Sequence, residues 1–194
     1  MPSTQSEPLL EALKRIAAVL REAEVDFALG GGLAAWARGG PPTEKDIDLL
    51  IREEDAPLVQ ELAAGAGLRV EVPPEGWLVK AWDGDILIDL IHHPTGFPVD
   101  DALLERCDEM VVHAVQMRVM RIDDLLASKL LALTEHSLDL GPPLQIARAL
   151  REQIDWDELW RRTAESPFAR TFFTLVRELR LLTAPTPARP LEVA

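Results

Sequence analysis

The strongest indication of the fold lies in residues 27–51, FALGGGLAAWARGGPPTEKDIDLLI. A short apolar segment leads into three glycines, small residues follow, and Asp46 and Asp48 flank Ile47 at the start of a second apolar segment. Side chains alternate between the faces of a strand, so both aspartates are expected on one face, with Ile47 directed into the core. Adjacent like charges repel unless a cation lies between them, and Mg²⁺ prefers carboxylate oxygens. The pair therefore predicts a divalent-metal site.

The glycines that precede this pair predict a phosphate contact. Gly31 and Gly32 lie where the first apolar segment passes into a helix of small residues. Glycine lets the backbone approach a ligand closely, and the first turn of a helix presents free N–H groups. A phosphate contact beside a metal site indicates a nucleotide ligand.

A third acid lies in WDGDILIDLIHH, residues 82–93. The Asp83-Gly84 pair predicts a turn, and an apolar strand follows that only Asp89 interrupts. Asp89 belongs either to the solvent face of an edge strand or to a site that uses its charge. Its face would also carry Asp85, Leu87 and Ile91, and this mixture is not a cleanly solvated surface. We therefore predict Asp89 as the third acid of the metal site.

These residues resemble the nucleotidyltransferase superfamily of the DNA polymerase beta type, including small bacterial members such as antibiotic nucleotidyltransferases and AbiEii-type toxins. The resemblance is carried by Gly31-Gly32, Asp46-Ile47-Asp48 and Asp89 within residues 25–93, and it is looser beyond them. It implies an α/β (α+β) fold, in which a mixed-sheet nucleotidyltransferase head precedes a helical C-terminal extension. It also implies an enzyme that transfers a nucleoside monophosphate from an NTP to an acceptor hydroxyl, on a small molecule or an RNA 3′ end, and releases pyrophosphate.

The resemblance and the charges together suggest a two-metal mechanism. Asp46 and Asp48 are expected to hold one Mg²⁺ against the triphosphate, and with Asp89 a second Mg²⁺ about 3.5–4 Å away. Asp89 would be the general base or an acceptor-side ligand. Backbone amides of Gly31 and Gly32 would position the phosphates.

Four further residues have two interpretations each, and a fifth, Asp139, has one. Arg38 and Lys45 flank the spacer before the aspartate pair, where they would reach triphosphate oxygens or merely offset nearby acids. Lys129 is either a surface lysine or a phosphate contact, the latter because its segment SKLLAL is similar to a lysine-bearing helix of AbiEii-type toxins. Lys80 would pair with a site carboxylate or face water. Asp139 follows where those toxins carry another acid.

Composition predicts a soluble intracellular protein. The 194 residues are 47% hydrophobic, which is enough for a sizeable core, and a single cysteine excludes an internal disulfide framework. We see no signal peptide and no apolar run of membrane-spanning length, so we expect a cytoplasmic location. The expected organisation is a nucleotidyltransferase domain over residues 1–120, a helical region over 121–183 and a flexible tail over 184–194.

Charge is spread unevenly along the chain, whose net charge is −13. Residues 1–140 carry 12 basic and 26 acidic side chains, whereas residues 141–194 carry 8 basic and 7 acidic ones. This balance weighs against broad nucleic-acid binding. An RNA contact would favour the last third, and an acidic lobe would suit a cationic acceptor such as an aminoglycoside.

Other site classes lack their motifs. There is no GxxxxGK[ST] phosphate loop, no dinucleotide-binding glycine spacing, no GxSxG and no zinc-ligand spacing. Two alternatives to a free enzyme stay open. One is a nucleotidyltransferase-fold toxin held inactive by an antitoxin, and the other is a non-catalytic module that binds nucleotide.

Hydrophobic periodicity and turn signals predict the elements. Strands are expected at 25–30, 46–51, 68–72, 77–82, 85–92 and 110–115. Helices are expected at 8–23, 31–38, 56–66, 101–106, 122–133, 143–153, 156–163 and 167–181.

Overall fold

The structure is a computed structural model that describes residues 6–43, 46–74 and 76–182. The chain divides into two compact units, with the boundary between Arg121 and Ile122. The tail predicted at 184–194 lies outside the described residues. None of the described helices combines the length and the apolar character that crossing a membrane requires.

The first unit is built on a seven-stranded mixed sheet, which confirms the predicted fold class. Its strands in chain order are β1 (Phe27–Leu29), β2 (Asp46–Ile51), β3 (Arg69–Glu71), β4 (Leu78–Asp83), β5 (Ile86–Ile91), β6 (Asp108–Val112) and β7 (Val115–Val119). In space the order is β3-β4-β5-β2-β1-β7-β6. The pairs β2–β5 and β1–β7 are parallel, and the other neighbouring pairs are antiparallel.

Four helices accompany this sheet. They are α1 (Ser6–Glu22), α2 (Gly31–Ala37), α3 (Ala56–Gly65) and α4 (Asp101–Glu105). On α1, Leu13, Ile16 and Leu20 recur at helical spacing and are fully buried, and the helix packs on α3, β2 and β5. These contacts cover one face of the sheet centre.

The prediction of a single strand at 110–115 is wrong, because the β6–β7 hairpin occupies this part of the chain. Its two-residue turn is formed by His113 (φ 46°) and Ala114 (φ 67°), both in the left-handed region. Such turns usually carry Asn-Gly or Asp-Gly. Since His-Ala lacks that signal, the turn was missed and two strands were merged into one.

The second unit is helical over its described residues. It contains α5 (Ile122–Leu131), α6 (Gly141–Leu150), α7 (Trp156–Thr163) and α8 (Pro167–Glu178). Trp156 and Trp160 both lie edge-on against Phe173, with ring centroids 6.3 and 5.0 Å apart from it. These aromatic contacts join α7 to α8.

Two buried acids at the start of α5 connect it to α7. Asp124 Oδ1 accepts a hydrogen bond from Arg162 Nη1 at 2.7 Å, and Asp123 Oδ1 accepts one from the backbone N–H of Asp155 at 2.8 Å. Buried carboxylates are costly unless they are paired in this way. The two acids are thus structural partners within the helical unit.

Candidate active site

The three predicted acids converge on one face of the sheet. Since β2 and β5 are parallel neighbours, their register places Asp48 directly beside Asp89, and Asp46 lies two residues earlier on the same face. Each of the three offers a carboxylate oxygen within 4.8 Å of the other two. All three side chains are partly exposed, so the cluster is open to a ligand.

Strict alternation produces this cluster. On β2, Ile47, Leu49 and Ile51 are fully buried, and on β5 Ile88 and Leu90 are fully buried. A slip of one residue in either strand would drive aspartates into the core. The apolar residues therefore fix which face the acids occupy, and the parallel register brings the acids together.

The surroundings of Asp89 raise its pKa above the ordinary value of an aspartate. Burial raises the pKa of Asp89 and the negative charge of Asp46 raises it further, while Lys80 acts to lower it. Within the described residues, Asp89 Oδ1 is buried and has no hydrogen-bond partner. The Lys80 ammonium lies 3.6 Å away, too far for a hydrogen bond but close enough for an ion pair.

We expect Asp89→Asn to stabilise the metal-free protein while lowering its activity. The raised pKa means that the fold binds the Asp89 proton more tightly than the unfolded chain does. Ionisation therefore costs stability progressively as pH rises from the unfolded value of about 3.9 through the folded value. Thermal unfolding in EDTA at about pH 7.5 should show a gain of roughly 2–5 °C.

The same measurement at acid pH supplies the control. Below the unfolded pKa, the Asp89 carboxyl is neutral in both the folded and the unfolded chain. The difference in thermal stability between Asp89→Asn and the native protein should therefore disappear. A variant less stable than the native protein near neutral pH would contradict the electrostatic account of this acid.

Gly31 packs directly against the Asp48 carboxylate. Gly31 has a φ of +56°, and an added Cβ would lie 2.9 Å from Asp48 Cβ and collide with the carboxylate group. The preceding Gly30 donates its N–H to the backbone oxygen of Asp48 at 2.8 Å. The glycine turn and the acid are therefore a single fitted unit, which only glycine at position 31 allows.

Thr43 is a neighbour of the turn that the sequence analysis missed. A Cβ on Gly32 would lie 2.9 Å from Thr43 Oγ1, so the threonine packs against that glycine. Thr43 ends the segment Gly-Gly-Pro-Pro-Thr, which leads from α2 towards β2. Nothing in this local pattern distinguishes Thr43 from an ordinary loop residue.

The donor set fits a hard divalent cation. All three converging groups are carboxylates, the ligand type that Mg²⁺ takes in proteins. The buried Asp89 Oδ1 without a hydrogen-bond donor is a further sign of a site that uses this oxygen for a ligand.

Arg38 does not lie free for a triphosphate. Its Nε donates to the carbonyl of Met120 at 2.9 Å, and its Nη2 donates to the carbonyl of Val119 at 2.9 Å and to Asp108 at 2.7 Å. Only 8% of the side chain is exposed. The guanidinium thus connects the end of α2 to β6 and β7, and we assign it this structural role instead of a phosphate contact.

We therefore expect Arg38→Met to lower the free energy of unfolding by about 2–3 kcal/mol, because it removes charged hydrogen bonds to backbone carbonyls. Urea unfolding measures the change, and Arg21→Met on the exposed side of α1 is the matched control. Unchanged stability combined with a raised KM for nucleotide would return Arg38 to the phosphate-binding role.

The other predicted residues have different positions. Lys45 lies outside the described residues. Lys129 lies on α5 in the second unit and is partly exposed, and its phosphate contact stays a prediction. Asp139 is exposed and accepts the N–H of Gly141 at 2.9 Å, at the start of α6. Asp85 was expected in the strand at 85–92, but it is exposed in the turn before β5.

A mixed sheet that brings three carboxylates together beside a glycine turn is the arrangement of a nucleotidyltransferase. The chain belongs to the family described as "nucleotidyl transferase of unknown function (DUF2204)", whose model matches residues 9–152. The predicted nucleotidyltransferase enzyme is confirmed by this match. No curated protein sequence matches the chain.

Solved structures share the fold. The solution structure of the antibiotic-resistance factor ANT(2'')-Ia is 18% identical, with a TM-score of 0.64 over 90% of this chain and 97% of that one. A crystal structure of ANT(2'')-Ia in complex with adenylyl-2''-tobramycin is 20% identical, with a TM-score of 0.54 over 89% and 97%. The lincosamide antibiotic adenylyltransferase LnuA, lincomycin-bound, is 13% identical, with a TM-score of 0.50 over 79% and 99%.

Proposed function

We propose that this nucleotidyltransferase is Mg²⁺-dependent and transfers a nucleoside monophosphate from an NTP to a hydroxyl of a small molecule, with release of pyrophosphate. The observation that carries the proposal is the convergence of Asp46, Asp48 and Asp89 within 4.8 Å. In the same proposal, residues up to Arg121 form the catalytic domain and those from Ile122 form a separate helical domain.

Asp46 and Asp48 would hold the divalent cations, with Asp89 completing the ligand set. Bound Mg²⁺ supplies positive charge that offsets the charge developing on the phosphate oxygens and on the leaving pyrophosphate. The backbone amides of Gly31 and Gly32 have no partner within their helix and are directed to phosphate oxygens in this proposal.

Asp89 is the proposed base. Its raised pKa gives it a higher proton affinity than an ordinary aspartate, and Oδ1 is buried without a hydrogen-bond donor in the described structure. The carboxylate oxygen of Asp89 that does not bind the cation accepts the proton of the acceptor hydroxyl, while the hydroxyl oxygen forms a bond to the α-phosphorus. The bond from the α-phosphorus to the pyrophosphate oxygen breaks, and pyrophosphate leaves with its electron pair.

The choice of a small acceptor follows from charge and from structural likeness. Residues 1–140 are strongly acidic, which disfavours a polyanionic acceptor and suits a cationic one. Two similar structures were solved with adenylyl-2''-tobramycin and with lincomycin. Hydroxylated antibiotics of these two classes are therefore the first acceptors to test.

The test is label transfer from each of the four α-³²P-labelled NTPs. The protein is incubated with Mg²⁺ and with aminoglycosides, lincosamides or total tRNA, and pyrophosphate is measured in parallel. We expect label in a small hydroxylated compound, equal pyrophosphate release, and loss of both in EDTA.

The other outcomes would support the alternatives to this proposal. Label in RNA would indicate a tRNA-modifying enzyme of the toxin kind, and label in the protein would indicate a side-chain acceptor. Nucleotide binding without transfer to any acceptor would indicate the non-catalytic module. Activity that appears only after removal of a co-expressed protein would indicate an antitoxin.

A further inference from the structure

Lys80 occupies a distinctive place on the site face. On β4 it lies directly opposite Asp89 of β5, which in turn lies beside Asp48 of β2. Its neighbour on the other side is Glu71 of β3. Four neighbouring strands therefore place Lys80 in a row whose other members are all acids, Glu71, Asp89 and Asp48.

The ion pair between Lys80 and Asp89 is suited to exchange. Lys80 Nζ lies 3.6 Å from Asp89 Oδ1, so the ammonium offsets the charge without making a hydrogen bond to the oxygen. About a third of the lysine side chain is exposed, at 32%, whereas the Asp89 side chain is only 15% exposed. Lysine carries a compact charge on a flexible stem, so it can leave this partner for another anion nearby.

A cation at this position also competes with any metal. Lys80 and a divalent cation would both be attracted to Asp89, and they would repel each other across a few ångströms. A bound triphosphate changes this balance, because it adds negative charge on the same face of the sheet.

We propose that Lys80 is a nucleotide-binding residue that exchanges partners: it pairs with Asp89 in the nucleotide-free protein and transfers to a phosphate oxygen when the triphosphate binds. Asp89 is then left to the divalent cation. The inference rests on the proposed nucleotidyl transfer. Its consequence is that metal binds weakly to the protein alone and well together with nucleotide, an interdependence that acts equally in both directions.

The experiment measures Mn²⁺ binding to the nucleotide-free protein by electron paramagnetic resonance at about pH 8. Lys80→Met should bind Mn²⁺ about ten-fold more tightly than the native protein, because the competing charge is gone. The KM for NTP should rise about ten-fold with a smaller change in kcat, because a ground-state phosphate contact is lost. Lys80→Arg keeps the charge and should keep Mn²⁺ binding weak.

Lys14→Met is the matched control, since Lys14 forms an exposed pair with Glu11 on α1 and the substitution removes the same charge. Unchanged or weaker Mn²⁺ binding in Lys80→Met would overturn the inference. If that variant does not fold, as judged by thermal unfolding, Lys80→Gln takes its place with the same expected result.

The failure of this inference can be distinguished from the failure of the proposed function. Mn²⁺ binding that Asp48→Asn abolishes but Lys80→Met leaves unchanged overturns the exchange alone. A native protein that binds no Mn²⁺, with or without nucleotide, overturns both.

Discussion

Asp48→Asn is expected to lower nucleotidyl transfer about 10²–10³-fold while leaving the fold intact, a loss of the size seen when a group stabilising transition-state charge is removed. The amide keeps the shape of the side chain but removes its negative charge. Asp48 lies beside Asp89 in the β2–β5 register and against Gly31, so its position is set by backbone on two sides. The loss is therefore one of charge and not of placement.

Two measurements check this expectation. Label transfer to the acceptor found in the antibiotic panel gives the activity, and Mn²⁺ binding gives the state of the metal site. Thermal unfolding should be equal to or above that of the native protein, because one of three mutually repelling charges is gone.

Asp85→Asn is the matched control for Asp48→Asn. It makes the same chemical change and the same change of net charge at an exposed position in the turn before β5. Activity close to native is expected there. Full transfer activity in Asp48→Asn, with its fold retained, would exclude the three-acid cluster as the site of chemistry.

The face of each acid could be predicted from sequence because it depends only on alternation. Ile47 and Leu49 on β2, and Ile88 and Leu90 on β5, had to be buried, and this left Asp46, Asp48 and Asp89 on the opposite face. Alternation does not predict that β2 and β5 are neighbours, because α3, β3 and β4 separate them in the chain. Local patterns do not contain this pairing, which was implied only by the family resemblance.

Arg38 shows why some contacts cannot be predicted locally. Its carbonyl partners, Val119 and Met120, lie 81 and 82 residues away in the chain. From the sequence, an arginine near a predicted phosphate site was interpreted either as a phosphate ligand or as a charge that offsets nearby acids. The structure gives it backbone acceptors instead, because β1 and β7 pair and bring the end of β7 to α2.

Lys80 lies between these two cases. Alternation allowed it to face the site or water, and the choice depended on which strand lies beside β4 and in what register. Once β4 and β5 pair as a hairpin through the turn at Gly84, Lys80 and Asp89 are opposite each other. The hairpin itself was indicated by Asp83-Gly84, so this contact was within reach of sequence reasoning.

Gly31→Ala is expected to lower both stability and activity, with transfer reduced at least about 100-fold, as a displacement near 1 Å of a catalytic group can do. The methyl group would meet the Asp48 carboxylate and lie 2.9 Å from Asp48 Cβ, well inside the 3.5–4.0 Å at which carbon atoms normally contact. Because β2 is paired with strands on both sides, only a shift of the Asp48 side chain or of the glycine turn can remove this clash. Either shift moves Asp48 relative to Asp46 and Asp89.

The backbone cost and the steric cost can be separated with Gly84→Ala. Gly84 has a φ of +62°, close to the +56° of Gly31, but an added Cβ there has no atom within 4 Å in the described structure. Gly84→Ala should therefore show only the cost of a left-handed alanine, about 1 kcal/mol in urea unfolding. Gly31→Ala should lose clearly more, and the excess measures the close approach to the acid.

A double-mutant cycle tests whether Asp48 is the obstacle. Asp48→Ala removes the carboxylate that the new methyl group would meet, so the double variant should recover part of the stability that Gly31→Ala loses. If Gly31→Ala and Gly84→Ala lose equal stability and Gly31→Ala remains active, the fitted contact between turn and acid does not control the site. A larger loss of stability in Gly31→Ala than in Gly84→Ala, partly recovered in the double variant, would show that Asp48 restricts position 31 to glycine. The turn and the acid would then function as one unit.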